Sequence, residues 1–238
     1  MKSHSTILLI AILVFTKCTL QAQKVTTDVK LVGKMSNVMW KGELAGNIEL
    51  NSISNKKNLY GLGPVEFLAG EILIIDGKSY HSTVVSDTSM KVEETYNLKA
   101  PFFGYANISK WSEQNFADSI QTIYQLEEFL DQMTKDFSKP FFFKIAGEVE
   151  KANIHIVNLP KGAKVRSPED AHKGQKNFVI NNQQVDIVGF FSKNHQSVFT
   201  HHDTYLHMHL ITADRLKMGH LDNVVFKKGT VKLFLPVE

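Results

Sequence analysis

The sequence predicts an α+β protein of two lobes: a mixed β-sheet N-terminal lobe with one long helix, then an antiparallel, β-rich C-terminal lobe. Three observations lead there. Short β-type runs punctuated by Gly/Pro turns fill the chain to Ser109, a three- and four-residue apolar period occupies 115–137, and six further β-type runs follow from Phe141. The 238 residues, 43% hydrophobic and 21% charged, suffice to bury a real core, in one large domain or two small lobes. The reading divides the chain into 1–22, 23–138 and 139–238.

The first segment has the layout of an export signal. Lys2 and a polar start precede an apolar run from Ile7 to Phe15, and Leu20-Gln21-Ala22 offers a cleavage site after Ala22. The run is too short to span a bilayer comfortably, and no later stretch approaches spanning length. A periplasmic or secreted protein with no membrane attachment after signal removal is expected. The single cysteine, Cys18, lies in this segment; Lys17 before it fits poorly with the alternative, a lipoprotein acylated at Cys18. Any metal in the mature chain must then be held by histidine and carboxylate. The formal charge is +3, of which Lys2 and Lys17 supply two positive charges, and no basic block remains to bind nucleic acid.

Along the mature chain, 28–33 reads as extended. Tyr60-Gly61-Leu62-Gly63-Pro64 turns the chain toward Gly70–Tyr80, where Asp76-Gly77 between two β-rich runs signals a hairpin. Glu71 opens an otherwise apolar strand, either as a solvated strand end or as a group aimed into a site. Pro101-Phe102-Phe103 leads into a buried strand. The helix is expected over 115–137, with Phe116, Ile120, Ile123, Phe129 or Leu130, Met133 and Phe137 on one face, Ser112 as N-cap and Glu113 in the first turn. Lys139-Pro140 ends it. Strands are expected at 141–149, 152–159, 184–192, 205–212, 220–226 and 230–235, with 161–176 as a polar surface excursion.

The chemistry concentrates in Tyr205-Leu206-His207-Met208-His209-Leu210-Ile211. On a strand His207 and His209 project to one side, Leu206, Met208 and Leu210 to the other. Two imidazoles one pleat apart can chelate a metal, and His220 in Gly219-His220-Leu221 supplies a third after a short connection. Three such ligands leave a coordination position open, the pattern of a catalytic zinc. A lone His-x-His is often only a surface strand, so the rest of the chain bears on the choice. Among the ten histidines, His81, His172 and His195 stand in polar company and read as surface residues. His201 and His202, beside Asp203, could neighbour the site, although consecutive strand residues face opposite ways. His155 shares a face with Asn153 and reads, by itself, as a structural histidine. A cupin would place a Glu soon after the second histidine; here Leu210, Ile211, Thr212, Ala213 and Asp214 follow. A carbonic-anhydrase arrangement has no other support in the chain.

These features together resemble alpha-acetolactate decarboxylase. The resemblance is carried by Tyr60-Gly61-Leu62-Gly63, Leu68-Ala69-Gly70-Glu71, the hairpin Asp76-Gly77-Lys78-Ser79-Tyr80, Pro101-Phe102, the helix expected from Ser112 and Phe142-Phe143-Lys144-Ile145-Ala146-Gly147. It continues through Val188-Gly189-Phe190-Phe191, Leu206-His207-Met208-His209-Leu210-Ile211, Asp214-Arg215 and Gly219-His220-Leu221-Asp222. It implies a two-lobed fold with the metal in the cleft, His207, His209 and His220 binding Zn2+, and decarboxylation of 2-hydroxy-2-methyl-3-oxobutanoate (acetolactate) to acetoin. The zinc would act as a Lewis acid that stabilises the enediolate. Glu71 falls on the family's site glutamate, which handles the proton. His155 falls where the family has an arginine, and an imidazole offers fewer donors and a conditional charge. The family's C-terminal extension brings in a second glutamate, and this sequence ends at Glu238, near where it would begin. The implied partner is a small 2-hydroxy-3-oxo acid, with a homodimer as an option. The alternative is a catalytically impaired zinc protein that binds such an acid.

Overall fold

The computed structural model describes residues 28–135, 139–201 and 203–237; the signal segment, Phe137 and His202 lie outside them. In chain order the elements are β1 (Lys30–Val32), α1 (Met35–Lys41), β2 (Ile48–Glu49), β3 (Leu59–Pro64), β4 (Glu71–Ile75), β5 (Lys78–Ser86), β6 (Ser89–Glu94), β7 (Lys99–Ala100) and β8 (Phe103–Asn107). They continue with β9 (Trp111–Gln114), α2 (Ile123–Met133), β10 (Phe141–Ile156), α3 (Pro168–Ala171), β11 (Lys176–Phe191), β12 (Leu206–Thr212), β13 (Met218–Phe226) and β14 (Lys232–Pro236). No helix among the described residues is long and apolar enough to cross a membrane.

Two six-stranded sheets dominate. The first runs β1-β8-β3-β4-β5-β6. Where the sequence led to a mixed sheet, every ladder here is antiparallel: short connections join β3, β4, β5 and β6 in turn, and β8 pairs with β1 and β3 over long separations in sequence. The expected Asp76-Gly77 turn joins β4 to β5, with φ of 48° and 78°. Two successive left-handed residues are what a tight hairpin needs to match strand twist, and Asp and Gly tolerate them.

The second sheet runs β11-β12-β13-β10-β14-β9, with β10 also paired to β11. The ladders β10–β11, β11–β12, β12–β13 and β13–β10 therefore close a four-strand ring. Inside it lie Phe143, Ile145, Ala152, Ile154, Ile187, Met208 and Leu210 in one buried cluster. Phe143 sits opposite Gly189, where an added Cβ would come within 2.0 Å of the Phe143 ring. Only glycine leaves room for that phenyl group.

The strands expected at 141–149 and 152–159 are one continuous β10. Its ladder to β13 shifts register between Val149 and Lys151, so the inward set moves from odd to even positions without ending the strand. The paired charges Glu150-Lys151 mark that phase change in the sequence.

The helix is shorter and later than its apolar spacing predicts. Ser112 lies in β9, opposite Leu235, and α2 begins after Thr122 with a capping box to Gln125. Phe116 and Ile120 share the helical spacing for another reason. Phe116 packs edge-on against Phe226, centroids 5.3 Å apart, and Ile120 enters the ring's core, both from non-helical backbone. Leu126 and Leu130 are buried in that same cluster, so the helix covers the second sheet. Helix α1 was not anticipated; its signal was Lys41-Gly42, a basic last turn followed by a left-handed C-cap glycine (φ 66°). The polar excursion 161–176 contains α3, N-capped by Ser167.

A second cluster joins the two sheets. Tyr60, Leu62, Leu73 and Tyr80 from the first meet Phe142, Val188, Phe190 and Ile211 on the outer face of the ring. The candidate site is on that face.

Candidate metal centre

Strand β12 is buried along its whole length. Leu206, Met208 and Leu210 point into the ring's core, while Ile211 belongs to the cluster between the sheets. The two-residue period places His207 and His209 on that second face. Register then assembles the rest. Val188 lies opposite His209, His209 opposite His220, and His220 opposite His155, giving one cross-strand row over four strands. His207 stands one pleat along β12. One donor atom from each of His207, His209 and His220 falls within 4.8 Å of the others, and all three residues are buried.

Burial holds these imidazoles neutral. Desolvation drives His207 and His220 well below the ordinary 6.5, and His209 to about 3, with neighbouring imidazoles adding to each shift. His207 Nδ1 lies 2.8 Å from the Phe199 carbonyl, which requires Nδ1–H to donate and leaves Nε2 as its lone-pair nitrogen. His209 is fully buried and neither ring nitrogen meets hydrogen-bond geometry within 3.5 Å among the described residues, although a looser backbone contact with Ile72 acts on the ring. Leaving such a group unsatisfied costs roughly 1–3 kcal/mol. A metal ion would satisfy it. Three neutral imidazoles with a free lone pair suit a borderline ion such as zinc.

Glu71 reaches the same point from the first sheet. Gly70, at φ 145°, lets the chain turn into β4, and a Cβ there would meet the Ser82 carbonyl at 2.3 Å. The Glu71 carboxyl is buried: Oε1 accepts the Val157 N–H at 3.1 Å, and Oε2 lies 3.6 Å from His209 Nε2. Burial raises its pKa well above 4.5, with the Val157 bond acting weakly the other way. Burial favours the uncharged form of both groups, which argues against reading the 3.6 Å contact as an ion pair. Glu71 is therefore not the solvated strand end that the sequence left open; it is buried beside His209.

His155 is buried, and its Nδ1 is 2.6 Å from Asp222 Oδ1. Asp222 is skipped in the β10–β13 ladder, where Ile154 pairs with Leu221 and Asn153 with Asn223. This bulge aims the Asp222 carboxylate at His155, a service bulges often perform beside sites. The His155 and His220 rings are 4.7 Å apart.

Beside the histidines lies a cavity of about 450 Å³. Glu71, His155, His207 and His220 line its polar side; Met35, Met39 and Trp40 of α1, with Leu68, Phe102 and Val157, line its apolar side.

Three residues were missed or undervalued. Asp222 was visible in Gly219-His220-Leu221-Asp222, but its role depends on the bulge. His172, read as a surface residue, is exposed, yet it lines the cavity 6.1 Å from the His155 ring. His201 was discounted because neighbouring strand residues face opposite ways; it lies in a loop, and its Nε2 is 3.0 Å from His220 Nε2. His81 and His195 lie apart, beside Glu93 (3.5 Å) and Ser192 (2.7 Å).

The sequence pattern of alpha-acetolactate decarboxylase matches residues 32–235. The chain belongs to that family. Among relatives, the alpha-acetolactate decarboxylase of Brevibacillus brevis is 22% identical over 198 residues, covering 83% of this chain and 66% of that protein. That of Lactococcus lactis subsp. lactis (strain IL1403) is 24% identical over 214 residues, covering 87% and 80%. The crystal structure of acetolactate decarboxylase from Bacillus subtilis subspecies spizizenii is similar with a TM-score of 0.72 at 20% identity, covering 88% of this chain and 86% of that one. A Staphylococcus aureus protein of unknown function, described as similar to alpha-acetolactate decarboxylase, gives 0.69 at 19% identity, covering 87% and 84%. The antiparallel sheets with few helices are thus the fold of the acetolactate decarboxylase structures.

Proposed function

We propose that this chain is an exported, zinc-dependent carboxy-lyase that converts acetolactate to acetoin and carbon dioxide, with the site in a cleft between two lobes, one per sheet. The observation that carries the reading is the buried triad His207, His209 and His220, three neutral imidazoles converging within 4.8 Å beside a buried carboxyl. These three would hold the metal. A zinc ion bound there would supply Lewis-acid withdrawal of electron density from the substrate oxygens next to the carbon that loses carbon dioxide.

The chain's own groups account for the remaining steps. When the carbon–carbon bond to the carboxylate breaks, its electron pair stays on the substrate, and the product needs one proton at that carbon. Glu71 carries one. Its Oε1 is committed to the Val157 N–H, so Oε2 holds the proton on the side facing His209. Donation leaves a carboxylate that Val157 already stabilises, and solvent returns the proton at the end of the cycle. His155, oriented by Asp222 through Nδ1, lines the cavity and donates Nε2–H to the substrate carboxylate when the ring is an imidazolium. The apolar wall formed by Leu68, Phe102 and Val157 shelters the methyl groups and excludes water.

The test is to incubate the zinc-loaded protein lacking residues 1–22 with racemic acetolactate and measure acetoin. Production above the spontaneous rate is expected; a protein that holds zinc yet produces none would sink the enzyme reading. A second reading, a zinc protein that binds a small hydroxy or oxo acid with impaired turnover, is favoured by His155 standing where the resemblance implies an arginine. His155→Arg separates the two, since a rise in acetoin production marks the position as a weakened arginine site.

A further inference from the structure

The segment before β12 does more than connect strands. Phe199 is fully buried; its ring is 4.7 Å from Phe190 and 6.0 Å from Phe102, and its carbonyl accepts from His207 Nδ1. Two residues on, His201 brings its Nε2 to 3.0 Å from His220 Nε2, with the rings 4.9 Å apart and the His207 ring at 6.3 Å. One short loop thus orients one triad histidine and presents an imidazole nitrogen to another.

Two imidazole nitrogens can hydrogen-bond only when one of them carries a proton. A metal taking the lone pair of His220 Nε2 removes that arrangement and leaves the His201 nitrogen facing the ion. The spacing suits this: nitrogens 2.0–2.1 Å from a tetrahedral zinc lie about 3.3 Å from one another. The 3.0 Å contact to His220 is already close to a ligand-to-ligand distance, while His201 stands outside the group of donors that all fall within 4.8 Å, so its loop must carry it inward to reach the ion. His207, His209 and His220 are fixed by strand ladders, whereas His201 belongs to neither a helix nor a strand and is half-buried.

We propose that His201 is a fourth nitrogen donor to the metal and the one ligand of the set that can leave. The inference rests on the reading that the triad holds a metal. In the resting protein the site is closed by four imidazoles; a substrate presenting two oxygens, hydroxyl and carbonyl, displaces His201 and opens it. The displaced imidazole then stands at the cavity wall, which His201 already lines.

Cobalt(II), used as a coloured substitute for zinc, tests this without turnover. The protein lacking residues 1–22, in its natural form and as His201→Ala, His201→Gln, His207→Ala and His172→Ala, is loaded and its visible spectrum followed with pH, alongside metal competition by a chelator. A closed four-nitrogen site holds no ionisable water, so the natural protein's spectrum should be independent of pH around neutrality. In His201→Ala a water takes the vacated position; the bands shift, a transition appears at about pH 7, and retention weakens by roughly tenfold or more. His201→Gln keeps a polar side chain in the loop, guards against simple loss of loop structure, and should shift the bands too; His172→Ala should match the natural protein. If both His201 variants keep the natural spectrum and affinity while His207→Ala loses the metal, the proposal is overturned and the triad stands. If the natural protein takes up neither cobalt nor zinc, the triad reading fails and this inference fails with it.

Discussion

The two faces of β12 are equally buried and chemically opposite. One carries Leu206, Met208 and Leu210 into the core of the ring; the other carries His207 and His209 against the first sheet. On the first, each side chain gains by leaving water, about 25 cal/mol per Å² of apolar area. On the second, burial costs free energy, because an imidazole with no partner gives up its water bonds for nothing. The contrast shows that burial alone does not mark a core: a buried row of imidazoles costs the chain free energy unless something supplies the partners it lacks.

The largest effect should come from deleting a ligand. His207→Ala is expected to abolish metal retention through gel filtration, measured as zinc per chain; retention equal to the natural protein would remove the basis of the site. On the opposite face, Leu210→Ala should lower unfolding free energy by about 2–5 kcal/mol in denaturant titration yet keep the metal, since its cavity opens on the ring's interior. A mutant that loses zinc while still folded would show the two faces to be less independent than the strand period implies. His209→Leu sharpens the comparison further. In the metal-free protein it removes two orphaned nitrogens and should stabilise by roughly 1–3 kcal/mol while ending metal binding; destabilisation would mean that the ring is satisfied without a metal.

Acidification gives a smaller, graded contrast. The triad histidines titrate below their ordinary 6.5 in the fold, so the unfolded chain takes up their protons first as pH falls below 6.5. Metal-free stability should therefore decline from about pH 6.5 downward, by up to about 1.4 kcal/mol per pH unit per histidine. Glu71 acts with the opposite sign. Its raised pKa contributes stability fully below 4.5, lost as pH rises toward its folded value, so one carboxyl opposes three imidazoles. The net decline should show in thermal unfolding temperatures between pH 7 and 5; a flat profile would refute the buried, neutral triad. The smallest effect is expected from His172→Ala, which lines the cavity 6.1 Å from the His155 ring and should leave zinc retention unchanged.

Much of the fold was legible because period-2 patterning and turn chemistry are local. The hairpin at Asp76-Gly77, strand β12 and the pairing of His207 with His209 on one face all follow from residues near one another in sequence. The helix misled because Phe116 and Ile120 obey a helical spacing while serving a sheet core, and spacing cannot tell which surface an apolar residue will meet. The continuity of β10 was hidden by a bulge, which reverses the alternation that strand recognition depends on.

The chain by itself therefore determined which residues could be ligands and which strand would present two of them, because alternation along a strand is a property of the backbone. Tertiary structure decided the rest. The extension of the His209–His220 pair to His155 depends on register between strands far apart in sequence, and the Asp222 contact depends on a bulge at which two strands fall out of step. The place of Glu71, 3.6 Å from His209, depends on one sheet packing against the other, and that of His201 on a loop anchored by Phe199. Long-range pairing sets these distances, and no local pattern encodes it.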